Sequence, residues 1–169
     1  MSDNLLTLES NSPEKTRLIS CAIASITEQG DFILLEGELG AGKTLFVKGF
    51  AQCRGYEGIV TSPTFALVQE YPSEPVLLHA DLYRLDSIME FEQLGLEELA
   101  SLNKAITLIE WAEIAKPALR SEYLEIVIEV DESDIRYFHL KSSAPSWVQR
   151  LSSIDLTPFP GKSSVGSED

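Results

Sequence analysis

The sequence predicts an α/β fold with antiparallel strands towards its C-terminal end. In the first part of the chain, short apolar runs typical of buried strands alternate with segments of helical periodicity, which is the pattern of an α/β sheet. Further along, two strand-like runs at residues 124–130 and 136–140 flank an acidic turn at 131–134. This arrangement indicates an antiparallel hairpin.

The first elements are marked by residues that favour helix starts and ends. A short strand is predicted at residues 5–8. Ser12 and Pro13 are the residue types preferred at the N-cap and at the first position of a helix. Gly30 is expected to end that helix. The apolar run at residues 32–36 then predicts a buried strand.

The middle of the chain continues the alternation, because glycine and proline residues divide it into short segments. The predicted elements are, in order, a helix at residues 43–54, a loop at 58–64, strands at 65–71 and 76–81, one or two acidic helices between 87 and 102 that break at Gly95, and a strand at 105–110. The result is a chain of short elements that fits a single layered domain.

Composition and charge limit the function classes. The chain has 169 residues, 44% hydrophobic and 24% charged, as expected for one soluble globular domain. Its 13 basic and 27 acidic residues give a formal charge of −14. A protein that neutralises many phosphates needs a basic stripe, and this sequence has none. We therefore expect no tight direct binding of nucleic acid. The acidity is interpreted as favouring solubility, and it leaves room for a partner protein with a basic face.

No segment indicates export or membrane insertion. The first residues lack the basic start and apolar run of a signal peptide, and no apolar stretch approaches membrane-spanning length. Cys21 and Cys53 lie far apart, without a Cys/His cluster, on the apolar faces of predicted helices. We therefore expect two buried thiols in a cytoplasmic protein.

The C-terminal part of the chain differs in composition from the rest. Beyond about residue 142 the sequence turns polar, and residues 157–169 are rich in Ser, Gly and Pro, which is typical of a disordered tail. We therefore predict one folded domain at residues 1–141, followed by a polar extension at 142–169 whose last part is disordered.

A glycine-rich segment between the strand at 32–36 and the helix at 43–54 matches G-x-x-x-x-G-K-[ST], the phosphate-binding P-loop. Its residues are Gly37, Glu38, Leu39, Gly40, Ala41, Gly42, Lys43 and Thr44. Backbone N–H groups of such a loop turn towards the phosphates, and the following helix adds the positive end of its dipole. We expect Lys43 to reach the β- and γ-phosphates of a nucleoside triphosphate, and Thr44 to bind Mg²⁺.

Two acidic residues each end an apolar strand. Asp81 follows the run at 76–80, and Glu110 follows the run at 105–109. A P-loop protein needs a carboxylate for its metal ion, and either residue could supply it; the alternative is that each is only a polar strand end. His79 precedes Asp81 by two positions and could face the same side, although a hydrogen-bonded structural histidine is the favoured interpretation.

The choice of nucleotide depends on a partial motif. Asn103 and Lys104 could begin a guanine-binding motif, but that motif needs an Asp where Ile106 stands. The pair is better interpreted as a surface turn before the strand. ATP is therefore the expected nucleotide.

Taken together, the motifs resemble those of the TsaE family (also called YjeE), the bacterial P-loop ATPases of tRNA threonylcarbamoyladenosine synthesis. The similarity extends from about residue 5 to about residue 140. Besides the P-loop, it rests on three motifs: Thr61-Ser62-Pro63-Thr64-Phe65, His79-Ala80-Asp81-Leu82-Tyr83-Arg84-Leu85 and Ile109-Glu110-Trp111-Ala112-Glu113. Four motifs in this order are far more specific than a P-loop alone.

The resemblance implies a P-loop NTPase-like mixed β-sheet flanked by helices, and an ATPase that is weak alone. It implies, as partners, a threonylcarbamoyl transferase and its inactive paralogue, which are TsaD-type and TsaB-type proteins. That heterodimer makes the modified adenosine beside the anticodon of tRNAs that read codons beginning with A. ATP hydrolysis by the family resets the transferase complex between turnovers.

The resemblance also implies roles for individual residues. Asp81 and Glu110 correspond to the acidic active-site pair of the family, and Thr64 to a residue of a switch-like loop near the γ-phosphate. Trp111 lies in the motif beside the nucleotide. The last hairpin of the family often carries Gly-Arg where this chain has Ile135-Arg136, which leaves the role of Arg136 open.

Two other functions are less well supported. A small-molecule P-loop kinase usually needs an arginine-rich lid, and residues 114–122 offer only Lys116 and Arg120. A nucleotide-dependent binding module without significant turnover is disfavoured by Asp81 and Glu110. Turnover measured with partners would separate the second alternative from an ATPase.

Overall fold

A seven-stranded sheet forms the centre of the protein in a computed structural model that describes residues 3–63 and 66–157. The strands are β1 (Asp3–Ser10), β2 (Phe32–Glu36), β3 (Val68–Tyr71), β4 (Leu77–Asp81), β5 (Ile106–Glu110), β6 (Tyr123–Val130) and β7 (Arg136–Ser142). The helices are α1 (Pro13–Ile26), α2 (Lys43–Cys53), α3 (Ile88–Leu94), α4 (Leu96–Asn103) and α5 (Pro145–Ser152), with one 3₁₀ turn at Ala112–Ile114. None of the helices in these ranges is long and apolar enough to cross a membrane.

The sheet is mixed, with the strand order β1-β7-β6-β2-β5-β4-β3. The four central strands, β6, β2, β5 and β4, run parallel to one another. At one edge β3 is antiparallel to β4, and at the other β7 is antiparallel to both β6 and β1. The predicted mixed sheet with a C-terminal antiparallel hairpin is therefore confirmed. The carboxyl ends of the parallel strands β2, β4 and β5 lie at the same end of the sheet, which is where open α/β sheets bind ligands.

Each face of the sheet is covered by its own hydrophobic core. Because side chains alternate along a strand, Ile33 and Leu35 of β2 pack with α1, α2 and α5, whereas Phe32 and Leu34 pack with α3 and α4. Strands β2, β4 and β5 are buried along their whole length, which explains their continuous apolar runs.

Most predicted boundaries agree with the structure, and the first helix shows where one does not. Ser12 caps α1 and Pro13 is its first residue, as predicted. The helix ends at Ile26 rather than near Gly30, because Thr27 already has an extended backbone and bonds back to the last turn through its hydroxyl. Gly30, with a φ of 90°, belongs to the turn into β2.

The two cysteines are not separate buried thiols, contrary to expectation. Cys21 on α1 and Cys53 at the end of α2 are joined in a disulfide, with their Cα atoms 5.4 Å apart. Cys21 is half-buried and Cys53 is exposed. A sequence pattern could not reveal the pair, because 32 residues separate the two positions and only the packing of α1 on α2 brings them together.

The packed core continues past the boundary predicted at residue 141. Part of the predicted polar extension, 142–169, forms α5, and Trp147 and Leu151 are buried in the core. These two residues are four positions apart, so they lie on one face of the helix although the segment is polar on average. The boundary at residue 141 is therefore too early. Residues 158–169, most of the predicted tail, lie outside the described residues.

Candidate nucleotide-binding site

The P-loop joins the carboxyl end of β2 to the N-terminus of α2. Gly42 has a φ of 107°, in the left-handed region, which lets the loop turn directly into α2. Gly37 permits a close approach, since a Cβ there would lie 2.8 Å from the carbonyl oxygen of Ile128 on β6. The strand, loop and helix predicted around residues 37–44 are therefore present, with the positive end of the α2 dipole directed at the loop.

Lys43 is folded back over its own loop. Its side chain is buried, and its ammonium group donates hydrogen bonds to the carbonyl oxygens of Gly37 and Glu38. The same nitrogen lies 4.0 Å from the centre of the Trp111 ring, within cation–π distance. Burial lowers the pKa of Lys43, and the carboxylates of Glu110, Glu36 and Asp81 oppose that shift. The positive charge of Lys43 is therefore held among acidic groups and carbonyl oxygens at the loop.

Thr44, the last residue of the P-loop, is hydrogen-bonded to the acid at the end of β5. Its hydroxyl donates to Glu110, with Oγ1 3.0 Å from Oε1 and 3.3 Å from Oε2. Glu110 is only 2% exposed, and β5 is the direct parallel neighbour of β2. The topology thus brings together a hydroxyl and a carboxylate that are 66 positions apart in the chain.

Asp81 ends β4 directly beside Glu110, its register partner on β5. One Asp81 oxygen accepts a hydrogen bond of 2.7 Å from the Ser62 hydroxyl, and the other accepts one of 3.0 Å from the Tyr83 backbone N–H. Asp81 is therefore tied to the loop that carries the Thr-Ser-Pro motif, whereas Glu110 is tied to Thr44 on α2. Both acids lie at the carboxyl ends of their strands, but they accept hydrogen bonds from different parts of the protein.

His79 is fully buried and lies between two polar side chains. Its Nε2 is 2.6 Å from Glu110 Oε2, and its Nδ1 is 2.9 Å from the Tyr71 hydroxyl. The favoured interpretation of a hydrogen-bonded strand histidine is confirmed. That its partner is Glu110 itself could not be predicted from the sequence, because the contact depends on the pairing of β4 with β5. Burial also raises the pKa of Tyr71 to about 12, so its hydroxyl keeps its proton at neutral pH.

Glu36, the residue before the P-loop, is a buried carboxyl group. Within the described residues, its Oε1 has no hydrogen-bond partner, and the nearest cation is the Lys116 ammonium at 3.9 Å. Lys116 itself donates to Glu125 at 2.6 Å. Burial raises the pKa of Glu36 to about 7, although the charge of Lys116 acts in the opposite direction.

Arg136 at the start of β7 contacts the backbone of the P-loop. Its Nε donates to the carbonyl oxygen of Ala41 at 3.0 Å, and its Nη2 lies 3.5 Å from that of Gly40. The role left open by the sequence is thus a contact between the hairpin and the phosphate-binding loop. Two carbonyl groups of the loop are bonded by one guanidinium group, which restricts how the loop can move.

Two clefts lie on either side of the P-loop. The first has a volume of 410 Å³, and its lining includes Lys43, Thr44, Ser62, Asp81, Glu110 and Trp111. The second, of 580 Å³, lies between the loop and the β6–β7 hairpin, and its lining includes Glu38, Leu39, Gly40, Ala41 and Arg136. The first cleft therefore collects the predicted metal and catalytic residues that the structure describes.

The oxygen atoms around the first cleft fit a hard cation such as Mg²⁺. The Thr44 hydroxyl and the carboxylates of Asp81 and Glu110 are ligands of the type that Mg²⁺ prefers. Within residues 3–63 and 66–157, no group of three or more His, Cys, Asp or Glu side chains is arranged to bind a metal ion by itself.

The remaining residues singled out by the sequence are Thr64, Trp111 and the Asn103–Lys104 pair. Thr64 lies outside the described residues, so its predicted role near the γ-phosphate stays a prediction. Trp111 lies beside Lys43 and also contacts the Tyr83 ring, with ring centres 4.8 Å apart. Asn103 and Lys104 form the predicted turn at the end of α4. That turn is at the amino end of β5, whereas the P-loop follows the carboxyl end of β2, the parallel neighbour of β5.

A strand, a P-loop and a helix, with an acidic strand end bonded to the P-loop threonine, define the P-loop class of nucleotide-binding folds. Within that class the chain belongs to the TsaE family. Residues 10–138 match the family model described as "Threonylcarbamoyl adenosine biosynthesis protein TsaE". The family and fold indicated by the four sequence motifs are therefore confirmed.

Relatives agree with this assignment over most of the chain. The "tRNA threonylcarbamoyladenosine biosynthesis protein TsaE" of Bacillus subtilis (strain 168) is 42% identical over 125 residues, which is 73% of this chain and 77% of the relative. The Rickettsia conorii protein of the same description is 37% identical over 149 residues, 86% of this chain and 83% of the relative. The crystal structure of Bacillus subtilis YdiB superimposes with a TM-score of 0.72 at 30% identity, covering 90% of this chain and 94% of that chain.

Two residues that bond to the acidic pair or to its neighbours are not predicted as site residues by the sequence. Ser62 is one position of a motif without an assigned role, and Tyr71 lies within a predicted strand. A signal existed for Ser62, since the motif contains hydroxyl residues and precedes Asp81. No signal existed for Tyr71, because its contact with His79 depends on the antiparallel pairing of β3 with β4.

Proposed function

We propose that this protein is an Mg²⁺-dependent ATPase of the machinery that makes N6-threonylcarbamoyladenosine in tRNA. It acts on a partner complex of a threonylcarbamoyl transferase and its inactive paralogue, the TsaD-type and TsaB-type proteins. The proposal rests on the phosphate-binding loop, on the acids beside it and on the pathway named for the relatives.

The observation that carries the proposal is the hydrogen bond between Thr44 and Glu110. A P-loop threonine that binds Mg²⁺ needs a carboxylate beside it to complete the metal environment. Thr44 and Glu110 have that relationship at 3.0 Å, and Asp81 lies next to Glu110 in register. Mg²⁺ at this position would neutralise charge on the β- and γ-phosphates. Lys43 would bind the same phosphates, and one of the two acids would orient the attacking water.

Contacts around the site favour an ATPase over the kinase alternative. A kinase lid needs free cations to close over the phosphates. Lys116, one of the two candidates for such a lid, is bonded to Glu125 at 2.6 Å and lies near Glu36. ATP is proposed as the nucleotide because the partial guanine motif at Asn103 has Ile106 where that motif needs an Asp.

Turnover by the protein alone is proposed to be slow. P-loop enzymes gain about 10³- to 10⁵-fold in rate from an arginine that contacts the γ-phosphate in the transition state. No arginine is among the described residues that line the cleft of Lys43 and Glu110. A partner that supplies such a charge, or that moves a loop, would accelerate turnover.

The proposed partner is a protein complex rather than bare tRNA, since the formal charge of −14 opposes direct phosphate binding. The proposed location is the cytoplasm, where tRNA is modified.

Turnover measured with and without partners tests the proposal. ADP release is followed for the purified protein alone and with the transferase heterodimer, and threonylcarbamoyl transfer to tRNA is followed over several turnovers. We expect slow ATP hydrolysis alone, faster hydrolysis with the heterodimer, and multiple turnovers of tRNA modification only when ATP is present. GTP should compete poorly. Equal turnover with and without the heterodimer, or stronger binding of GTP than of ATP, would contradict the proposal.

A further inference from the structure

His79 connects the proposed metal-binding acid to an edge of the sheet. It is 0% exposed, and its two ring nitrogens have different partners, Glu110 at 2.6 Å and the Tyr71 hydroxyl at 2.9 Å. Tyr71 is also buried, and its hydroxyl lies 3.4 Å from the carbonyl oxygen of Thr61. A chain of hydrogen-bonded side chains therefore runs from Tyr71 through His79 to Glu110, which also accepts from Thr44.

The chemistry of these groups fixes the direction of the critical bond. An ionised carboxylate is only an acceptor, so the hydrogen between His79 and Glu110 must be on Nε2 of the ring. In a neutral ring Nδ1 is then the acceptor, and the Tyr71 hydroxyl donates to it. In a charged ring Nδ1 donates to the Tyr71 oxygen instead. In both cases Nε2–H donates to Glu110, so this bond does not depend on the protonation state of His79.

Two donors leave the Glu110 carboxylate little freedom. Thr44 donates to it from α2, and His79 donates to Oε2 from β4. A glutamate side chain has several rotatable bonds, and the bond to Thr44 alone leaves other rotamers accessible. The second donor selects the rotamer in which the carboxylate lies against Thr44.

We propose that His79 is a positioning residue that fixes the Glu110 carboxylate beside Thr44 and so sets the affinity for Mg²⁺ in the nucleotide complex. This inference rests on the function proposed above. Loss of a residue that orients a metal ligand typically lowers metal affinity about 10- to 100-fold. His79 touches neither nucleotide nor metal in this role, and it acts through Glu110.

A pair of amide substitutions separates the two contacts of His79. In His79→Gln the side-chain NH₂ lies about where Nε2 was and can still donate to Glu110. In His79→Asn the amide is one methylene shorter, so it can reach Tyr71 but not Glu110. Both variants replace the imidazole ring with a carboxamide at the same buried position, so both lose the ring and keep a polar group there. Leu108→Ala, at the β5 position in register with His79, serves as a control for destabilisation alone.

The experiment measures ATP binding by calorimetry over a range of free Mg²⁺ concentrations, with thermal unfolding of every variant. We expect the Mg²⁺ concentration for half-maximal binding to rise about 10-fold or more in His79→Asn. It should stay within about threefold of wild type in His79→Gln and Leu108→Ala, even where these variants melt at lower temperature. Rescue by Gln but not by Asn, together with an unchanged Mg²⁺ midpoint in Leu108→Ala, is expected if the donor to Glu110 matters and destabilisation alone does not.

The outcomes distinguish this inference from the function on which it rests. Wild-type protein that binds ATP with no Mg²⁺ dependence would overturn the proposed function. A normal Mg²⁺ dependence in wild type that is unchanged in folded His79→Asn would overturn the positioning role alone. If His79→Asn does not fold, His79→Phe decides, because it keeps a ring at the same buried position but has no donor for Glu110. An unchanged Mg²⁺ midpoint in folded His79→Phe would then overturn the role.

Discussion

Asp81 and Glu110 are register partners on adjacent parallel strands, yet their carboxylates are hydrogen-bonded to different elements. Glu110 accepts from Thr44 on α2, and Asp81 accepts from Ser62 in the loop before β3. Two carboxylates side by side near a triphosphate repel both it and each other unless a cation lies between them. Because the two carboxylates have different hydrogen-bond partners, we expect one to bind the metal ion and the other to orient the attacking water.

The first prediction is that substitution separates the two acids. Glu110→Gln should weaken the Mg²⁺ dependence of ATP binding, because it removes the charge beside Thr44. Asp81→Asn should leave ATP binding within a few-fold of wild type and depress partner-stimulated turnover, because it disturbs the bond to Ser62. Mg²⁺ titrations of ATP binding and ADP release with the heterodimer measure the two effects. The opposite pattern would exchange the roles, and no effect from either variant would make both residues structural strand ends.

The second prediction concerns the P-loop lysine. Lys43→Ala should abolish detectable ATP binding while the protein still unfolds cooperatively, because the Lys43 ammonium bonds to the loop and to Trp111 rather than to the core. Lys48→Ala is the matched control, since Lys48 is an exposed lysine on the same helix. Calorimetric titration of ATP into each variant makes the comparison. Wild-type affinity in folded Lys43→Ala would remove the basis for the phosphate site.

How far the sequence predicts the fold depends on whether the signal is local. The P-loop, the strand at residues 32–36 and the cap at Ser12 are local patterns, and the structure confirms them. The Cys21–Cys53 pair depends on the packing of two helices, and no pattern within a short window contains that information. Averaging over the C-terminal segment also hid α5, because two buried residues among polar ones leave its mean composition polar.

In the candidate site, too, local patterns could be predicted from the sequence and tertiary contacts could not. The acids at positions 81 and 110 could be found from the sequence, because each ends an apolar run. Their partners could not be assigned, since the bond from Thr44 to Glu110 depends on β5 lying next to β2 in the strand order. The contact of Arg136 with Ala41 likewise joins residues that are 95 positions apart. Strand order and pairing are tertiary properties, and one sequence does not reveal them.

The third prediction concerns α5. Trp147→Ala should destabilise the protein by about 3–5 kcal/mol, because it leaves a cavity in the core under a helix. Arg150 adds to the attachment of α5 by stacking on Trp147 and pairing with Asp31 at 2.6 Å. Val148→Ala, at an exposed position of the same helix, should change stability by about 0.5 kcal/mol or less. Urea unfolding curves of both variants compare the two positions.

Two truncated chains provide a second test of whether α5 stabilises the folded protein. A chain that ends after residue 157 keeps α5 and should unfold like the full chain, because residues 158–169 have the composition of a tail that buries little apolar area. A chain that ends after residue 146 loses Trp147 and should be clearly less stable. Equal urea midpoints for the two truncated chains would show that α5 does not contribute to the folded state.

The last prediction is a pH dependence of stability that arises from Glu36. Burial raises its pKa in the folded protein to about 7, from an ordinary value of 4.5. Below pH 4.5 the carboxyl group is protonated in both states and has no effect. Between pH 4.5 and 7 the unfolded chain releases this proton while the folded protein retains it, so the free energy of unfolding falls as pH rises. Above pH 7 both states are ionised, and the folded protein carries the full cost of a buried charge.

Glu36→Gln removes this titration while it preserves the size of the side chain. The variant should match wild type at about pH 4.5 and exceed its free energy of unfolding at pH 8 by at most about 3 kcal/mol, which is the limit set by the shift. Urea unfolding at several pH values between 4.5 and 8 gives the difference curve. Glu57→Gln, at an exposed loop position, should show no such rise. A Glu36→Gln difference that stays flat over this range would mean that the carboxyl group is solvated in the folded protein, and that its oxygen beside the P-loop has partners after all.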